Sequence, residues 1–143
     1  MIETIYEEIR VKLLALDLIE AAEYFDMDNV PDSMADGSFC LGLVNMEPGD
    51  YAGATSQRFG GNIMNLKSLF KINVSYGMTA DNVIQKAKDG AVMVENVIMA
   101  VLALTVGSNE KDKINFVGSS SAVKGSAIIT EINFGIDYRI SAI

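Results

Sequence analysis

Residues 66–77, "LKSLFKINVSYG", alternate strictly, with Phe70, Ile72, Val74 and Tyr76 on one side and Lys71, Asn73 and Ser75 on the other. A period of two is the pattern of a half-buried strand. The same alternation is held for about a dozen residues, longer than an ordinary strand, near the C-terminus. There Ile128, Thr130, Ile132, Phe134, Ile136, Tyr138 and Ile140 form an apolar face, and Ile129, Glu131, Asn133, Gly135, Asp137 and Arg139 form the other. Apolar runs at Phe39–Asn45 and Ile114–Gly118 predict two shorter strands, and "SSSAVKG" after the second reads as a loop.

Two stretches change to the helical period. Ile2, Ile5, Ile9, Leu13, Leu16 and Ile19 predict a helix over 2–25, with Glu3, Glu7 and Glu8 in the first turns, where the helix dipole favours acids. A second helix is predicted from Ala80 to Thr105, capped by Thr79, with Val83, Ala87, Ala91, Val94, Ile98, Val101 and Leu102 on its core side. Gly90 weakens it by about 1 kcal/mol relative to alanine and marks a close helix contact or a bend. This helix is apolar on most of its circumference, as expected of a central core helix or one shared with a neighbouring subunit. Between the elements lie "DMDNVPDSMADG", an acidic turn-rich linker over Asp26–Asp36, and Met46–Asn62, which keeps no periodicity. A loop as long as the latter is usually functional or mobile.

The order α-β-β-α-β-β predicts an α+β fold. A mostly antiparallel sheet of about four strands packs against two helices, with the long inter-strand loop at Met46–Asn62, all in a single domain over 1–143.

Composition narrows the functional classes. The chain has 143 residues, half of them apolar, a mean hydropathy of +0.25 and a net charge of −8. The charge is uneven: residues 1–50 carry a net charge of −10, with Arg10 and Lys12 their only bases, and the remainder carries +2. So acidic a chain is a poor match for gripping nucleic acid, because phosphate neutralisation requires lysine and arginine. The first ten residues, "MIETIYEEIR", place acids where a signal peptide carries a basic region, so secretion is not expected. Glu95 and Asn96 interrupt the most apolar run, Ala91–Val106, leaving less than the ~18 residues of a membrane span.

Candidate chemistry is sparse. With no histidine and one cysteine there is no Ser-His-Asp or Cys-His arrangement, no histidine metal site and no thiolate cluster. Cys40 reads as a small buried hydrophobe. Counted from Asp26, a calcium loop would need glycine at position 6 and glutamate at position 12, where Pro31 and Gly37 stand. "GATSQRFGGN" lacks the Gly-Lys-Ser/Thr of a phosphate loop and leads into a strand rather than a helix. Glu131 and Asp137 lie roughly 20 Å apart along one strand, too far for paired acid–base work. The expectation is therefore no enzyme, no metal and no cofactor, but a protein that works by shape and contact.

The helix, short strand, glycine-bearing connection, "LFKINVSYG" strand, helix "TADNVIQKAKDGAVMVENVIMAVL" and closing "AIITEINFGIDYRISA" stand in an order that resembles a known family. It is that of the tail terminator, or tail-completion, proteins of tailed bacteriophages, related to head–tail joining neck proteins. The resemblance implies a virion structural protein, assembled in the host cytoplasm. Its subunits form a hexameric ring that caps the tail tube and meets the head–tail connector, with DNA passing through and no sequence-specific binding. It also implies that the long loop, with Glu47, Asp50, Tyr51, Gln57, Arg58 and Phe59, and the Asp26–Asp36 linker carry contacts. The polar face of the last strand, with Glu131, Asp137 and Arg139, suits a channel wall or a subunit seam. The other reading is a small cellular α+β binding module that holds an apolar ligand or partner peptide in a methionine- and aromatic-lined cavity.

Overall fold

The computed structural model describes residues 2–31, 36–42, 45–48, 63–77, 83–104 and 113–141. Along the chain these form α1 (Ile2–Ala15), β1 (Ile19–Glu20), β2 (Ser38–Leu41), β3 (Asn45–Pro48), β4 (Ile63–Gly77), α2 (Val83–Leu102), β5 (Ile114–Lys124) and β6 (Ala127–Ser141). The architecture is α+β. Six strands make one sheet in the order β1-β2-β4-β6-β5, with β3 pairing β4 as well. Only β1–β2 is parallel.

The centre of the sheet is the long β4–β6 ladder, in register from Ile63↔Ser141 to Gly77↔Ala127. Because the side-chain period is two, this register puts both apolar faces on one side. Phe70, Ile72 and Val74 stand opposite Phe134, Ile132 and Thr130. Both helices pack on that side, where Ile5, Ile9, Leu13, Val97 and Val101 join Ile132, Phe134 and Ile136 in the main core. A row of rings crosses it: Tyr6 meets Phe70 edge-on, Phe70 stacks on Phe134 at 5.4 Å, and Phe116 meets Phe134 edge-on at 6.0 Å. The Tyr6 hydroxyl donates to the Gly42 carbonyl at 2.9 Å, tying α1 to the end of β2.

Four expectations need correction. The first helix stops at Ala15, well short of residue 25. Asp17 takes φ +65°, Leu18 N–H reaches Leu13 O, and Asp17 N–H reaches Leu14 O. This is the Schellman termination, completed by the apolar contact it favours, since Leu13 and Leu18 are both in the core. The helical spacing of Leu16 and Ile19 is thus coincidental, and Ile19 starts β1 beside β2. Arg10 on α1 pairs with Glu20 on β1, and within α1 it also pairs with Glu7 at 3.0 Å.

The second correction concerns "SSSAVKG". It is no loop: β5 runs on to Lys124 and joins β6 through a two-residue turn, Gly125-Ser126. Gly125, at φ +61°, supplies the positive φ that a II′ hairpin turn needs at its first central position. The ladder is interrupted by a bulge between Phe116 and Gly118. Third, the sheet gains strands over the expected four, because β3 forms at Asn45–Pro48, at the start of the presumed loop, and β1 adds a short edge.

Fourth, the inward stripe of α2 is Gly90, Val97 and Val101, flanked by Met93, Val94 and Ile98. Val83, Ala87, Ala91 and Leu102, expected inside, are exposed. With apolar residues on two sides, the period alone could not say which side faced the sheet. Gly90 sits against the Tyr76 ring, so it marks a close contact.

Candidate interaction surfaces

Among the described residues, the side of the sheet away from the helices is covered in part. After β1 the chain folds beneath the sheet, and Phe25, fully buried, packs with Cys40 and Ile129 in a second, small core edged by Met27 and Val30. The Phe25 carbonyl accepts from the Asn73 amide at 2.9 Å and from the Cys40 thiol at 3.1 Å. Burial pushes the Cys40 pKa up, against the hydrogen bonds that would lower it, and keeps a protonated thiol. This is the buried, inert cysteine the sequence implied.

Asp26 and Asp36, expected in a solvated linker, are both tied down. Asp26 accepts from the backbone of Asp28 and Asn29 at 2.9 and 2.8 Å, and from Tyr24 at 3.2 Å. Desolvation raises its pKa, but these bonds outweigh it and the net shift is downward. Asp36 accepts the Gly77 N–H at 2.9 Å and pairs with Lys86, bridging the end of β4 to the first turn of α2. Desolvation again opposes, and the Lys86 and Gly77 bonds again prevail, so its carboxyl is held below the usual carboxylate range.

Past the Phe25 cover, the rest of this face is polar. Glu47 on β3, Lys67 on β4 and Asp137 on β6 stand in one cross-strand row, and residues so aligned share a face. Glu131 lies further along, 3.5 Å from the Lys71 ammonium. Three of the residues singled out from sequence, Glu47, Glu131 and Asp137, are therefore brought to the same face. Lysines interleave with them, giving a mixed-charge surface rather than an acidic one. A hollow of about 290 Å³ on this face is bounded by Asn45, Leu69, Lys71, Val117 and Asn133. Arg139 stands opposite Asn65 in the ladder, with its side chain outside the described set. Asp50, Tyr51, Gln57, Arg58 and Phe59 lie outside the described residues.

Among the described residues, no three acids, cysteines or histidines converge on a cation position. No helix among them is long and apolar enough to cross a membrane. An open depression of about 640 Å³ lies between Met27–Pro31 and the β5–β6 turn. Its lining holds one methionine and no aromatic residue.

Two exposed features stand out among the described residues. One is the outer edge of β5. Among the described residues β5 pairs only with β6, and none of them adds a strand to its other edge. From Ile114 to Val123 that edge strand, "INFVGSSSAV", contains no charge and no proline. The Gly125-Ser126 pair between two apolar-containing runs was the available hairpin signal. The other is the outward side of α2. Neither a protein-family profile nor a characterised protein matches the chain.

Proposed function

We propose that the chain is a ring-forming structural subunit, acting as the tail terminator that caps a phage tail tube and joins it to the head-side connector. The observation that carries the assembly part of this reading is the β5 edge. An 11-residue strand with an open, uncharged edge is an invitation to pairing, which proteins that stay single blunt with lysines, prolines or brevity. Here only the bulge after Phe116 and Lys124 at the far end interrupt it. The opposite edge of the sheet, formed by β1 and β3, is a different surface. Contact between two unlike edges is head-to-tail, the kind that closes into a ring. The mixed charge of the polar sheet face offers no continuous basic track, which fits a channel that DNA crosses without adhering.

The test uses the full chain, alone and mixed with tail tubes, in sedimentation velocity and electron-microscopy class averages. A closed six-fold ring on the tube end is expected. A chain that stays monomeric and unattached under both conditions overturns the reading. Val117→Lys with Val123→Lys, both 61% exposed on β5, should abolish the ring while leaving the circular-dichroism melt in place. Rings that form normally with this pair would remove β5 as the seam.

A further inference from the structure

The outward side of α2 carries an exposed apolar stripe. Ile84 is 73% exposed, Met99 62% and Val92 56%, with Ala91 and Leu102 exposed beside them. At 100° per residue these positions fall on one side of the helix, nearly opposite the buried Gly90, Val97 and Val101. Within this stripe stand two charges, Lys88 and Glu95, and among the described residues neither makes an ion pair. The other charged residues of α2 lie off the stripe: Lys86 is engaged by Asp36, and Asp89 accepts from Gln85 at 2.8 Å.

The order of these residues is symmetric. Reading outward from the point between Ala91 and Val92, the chain meets Ala91 and Val92, then Lys88 and Glu95, then Ile84 and Met99. If a second α2 is laid antiparallel with its two-fold axis at that point, each residue faces its mirror position. Ile84 then faces Met99 of the other copy, Lys88 faces Glu95 twice, and the small Ala91 lies at the crossing, where helices approach to about 8–10 Å. We propose that α2 is a self-complementary dimer surface whose occupant is a second copy of this chain. Charge selects both partner and direction: a parallel pair in register sets Lys88 against Lys88 and Glu95 against Glu95, which the antiparallel one avoids. The contact is isologous and closes at two copies. It stands apart from the ring, since it needs no tail tube and uses the helix layer instead of β5.

Sedimentation velocity of the full chain over a wide concentration range tests the pairing. The intact protein is expected to show a monomer–dimer equilibrium. Lys88→Glu and Glu95→Lys alone should each weaken it by at least tenfold, because the two-fold symmetry makes each change count twice. The combined Lys88→Glu/Glu95→Lys chain should return to within about threefold of the original. Ile84→Glu should give monomer throughout. All three positions changed are exposed helix sites, and unchanged circular dichroism checks the fold. Any of three results overturns the proposal: an intact chain that is monomeric at every concentration, single reversals without effect, or a double reversal that fails to restore the dimer.

Discussion

Gly90 is a point where one methyl group can be placed with known surroundings. α2 crosses β4 with Gly90 over the Tyr76 ring, and a Cβ built there lies 3.4 Å from Cδ2 and 3.7 Å from Cε2 and Cγ. Those are ordinary van der Waals separations, so alanine fits without moving the ring. Two terms then favour Gly90→Ala. Helix propensity contributes about 1 kcal/mol, and the new methyl, buried against the ring, adds a fraction of the ~0.8 kcal/mol of a buried carbon. The expected gain is about 1 kcal/mol, or roughly 3–4 °C in Tm for a chain of this size. Urea unfolding should show a higher midpoint at constant m. Gly90→Leu must push Tyr76 aside, and overpacking of this kind costs about 1–3 kcal/mol, so it should fall below the parent. An alanine variant that loses stability would falsify the spacing of α2 over β4. A leucine variant as stable as the alanine one would show that the contact is not tight.

Two further predictions rest on local geometry. Asp17 holds a left-handed conformation at the end of α1, next to carbonyls whose dipole disfavours a negative charge. Asp17→Asn keeps the tolerance for positive φ and should gain about 0.5 kcal/mol, whereas the β-branched Asp17→Val should lose about 1–2 kcal/mol, as read from thermal melts. Burial raises the Tyr6 and Tyr76 phenols from 10.0 to about 12. A folded pKa above the unfolded one gives stability that is whole below pH 10 and drains away as the pH climbs toward 12. Ultraviolet titration of tyrosinate should therefore show Tyr6 and Tyr76 ionising late, as the fold opens. Tyr6→Phe together with Tyr76→Phe should flatten the alkaline loss, and an unaltered alkaline midpoint would contradict the assignment.

The strands at the middle of the sheet were readable because burial on one face forces alternation. Phe70–Tyr76 and Ile128–Ile136 show it, and both expected faces were found. Of β5 only Ile114–Gly118 was readable; the continuation through Ser119–Ser121 was not, because at an exposed edge no apolar period is needed. The end of α1 was obscured because Leu16 and Ile19 continue its spacing by chance, while the deciding event is one aspartate turning left-handed. Asp26 and Asp36 looked like free solvent-facing acids, since a sequence cannot display the backbone N–H groups that they accept from. Of the expected contact residues, Glu47, Glu131 and Asp137 do share a face. Lys67 and Lys71 give that face its mixed charge.

The position of β6 between β4 and β5 also bears on how the chain acquires its fold. β4 and β6 are the two longest strands and face each other along their whole length, yet α2 and β5 intervene between them in sequence. During synthesis β4 has a full apolar flank unsatisfied until β6 has emerged. By contrast, β5 and β6 are joined by two residues and can zip locally within microseconds. The hairpin therefore forms first and docks as a unit, and the slow step is loop closure across α2. In that interval, the exposed flank of β4 is the segment on which one nascent chain would capture the hairpin of another, so domain-swapped and aggregated species should arise there before anywhere else in the molecule.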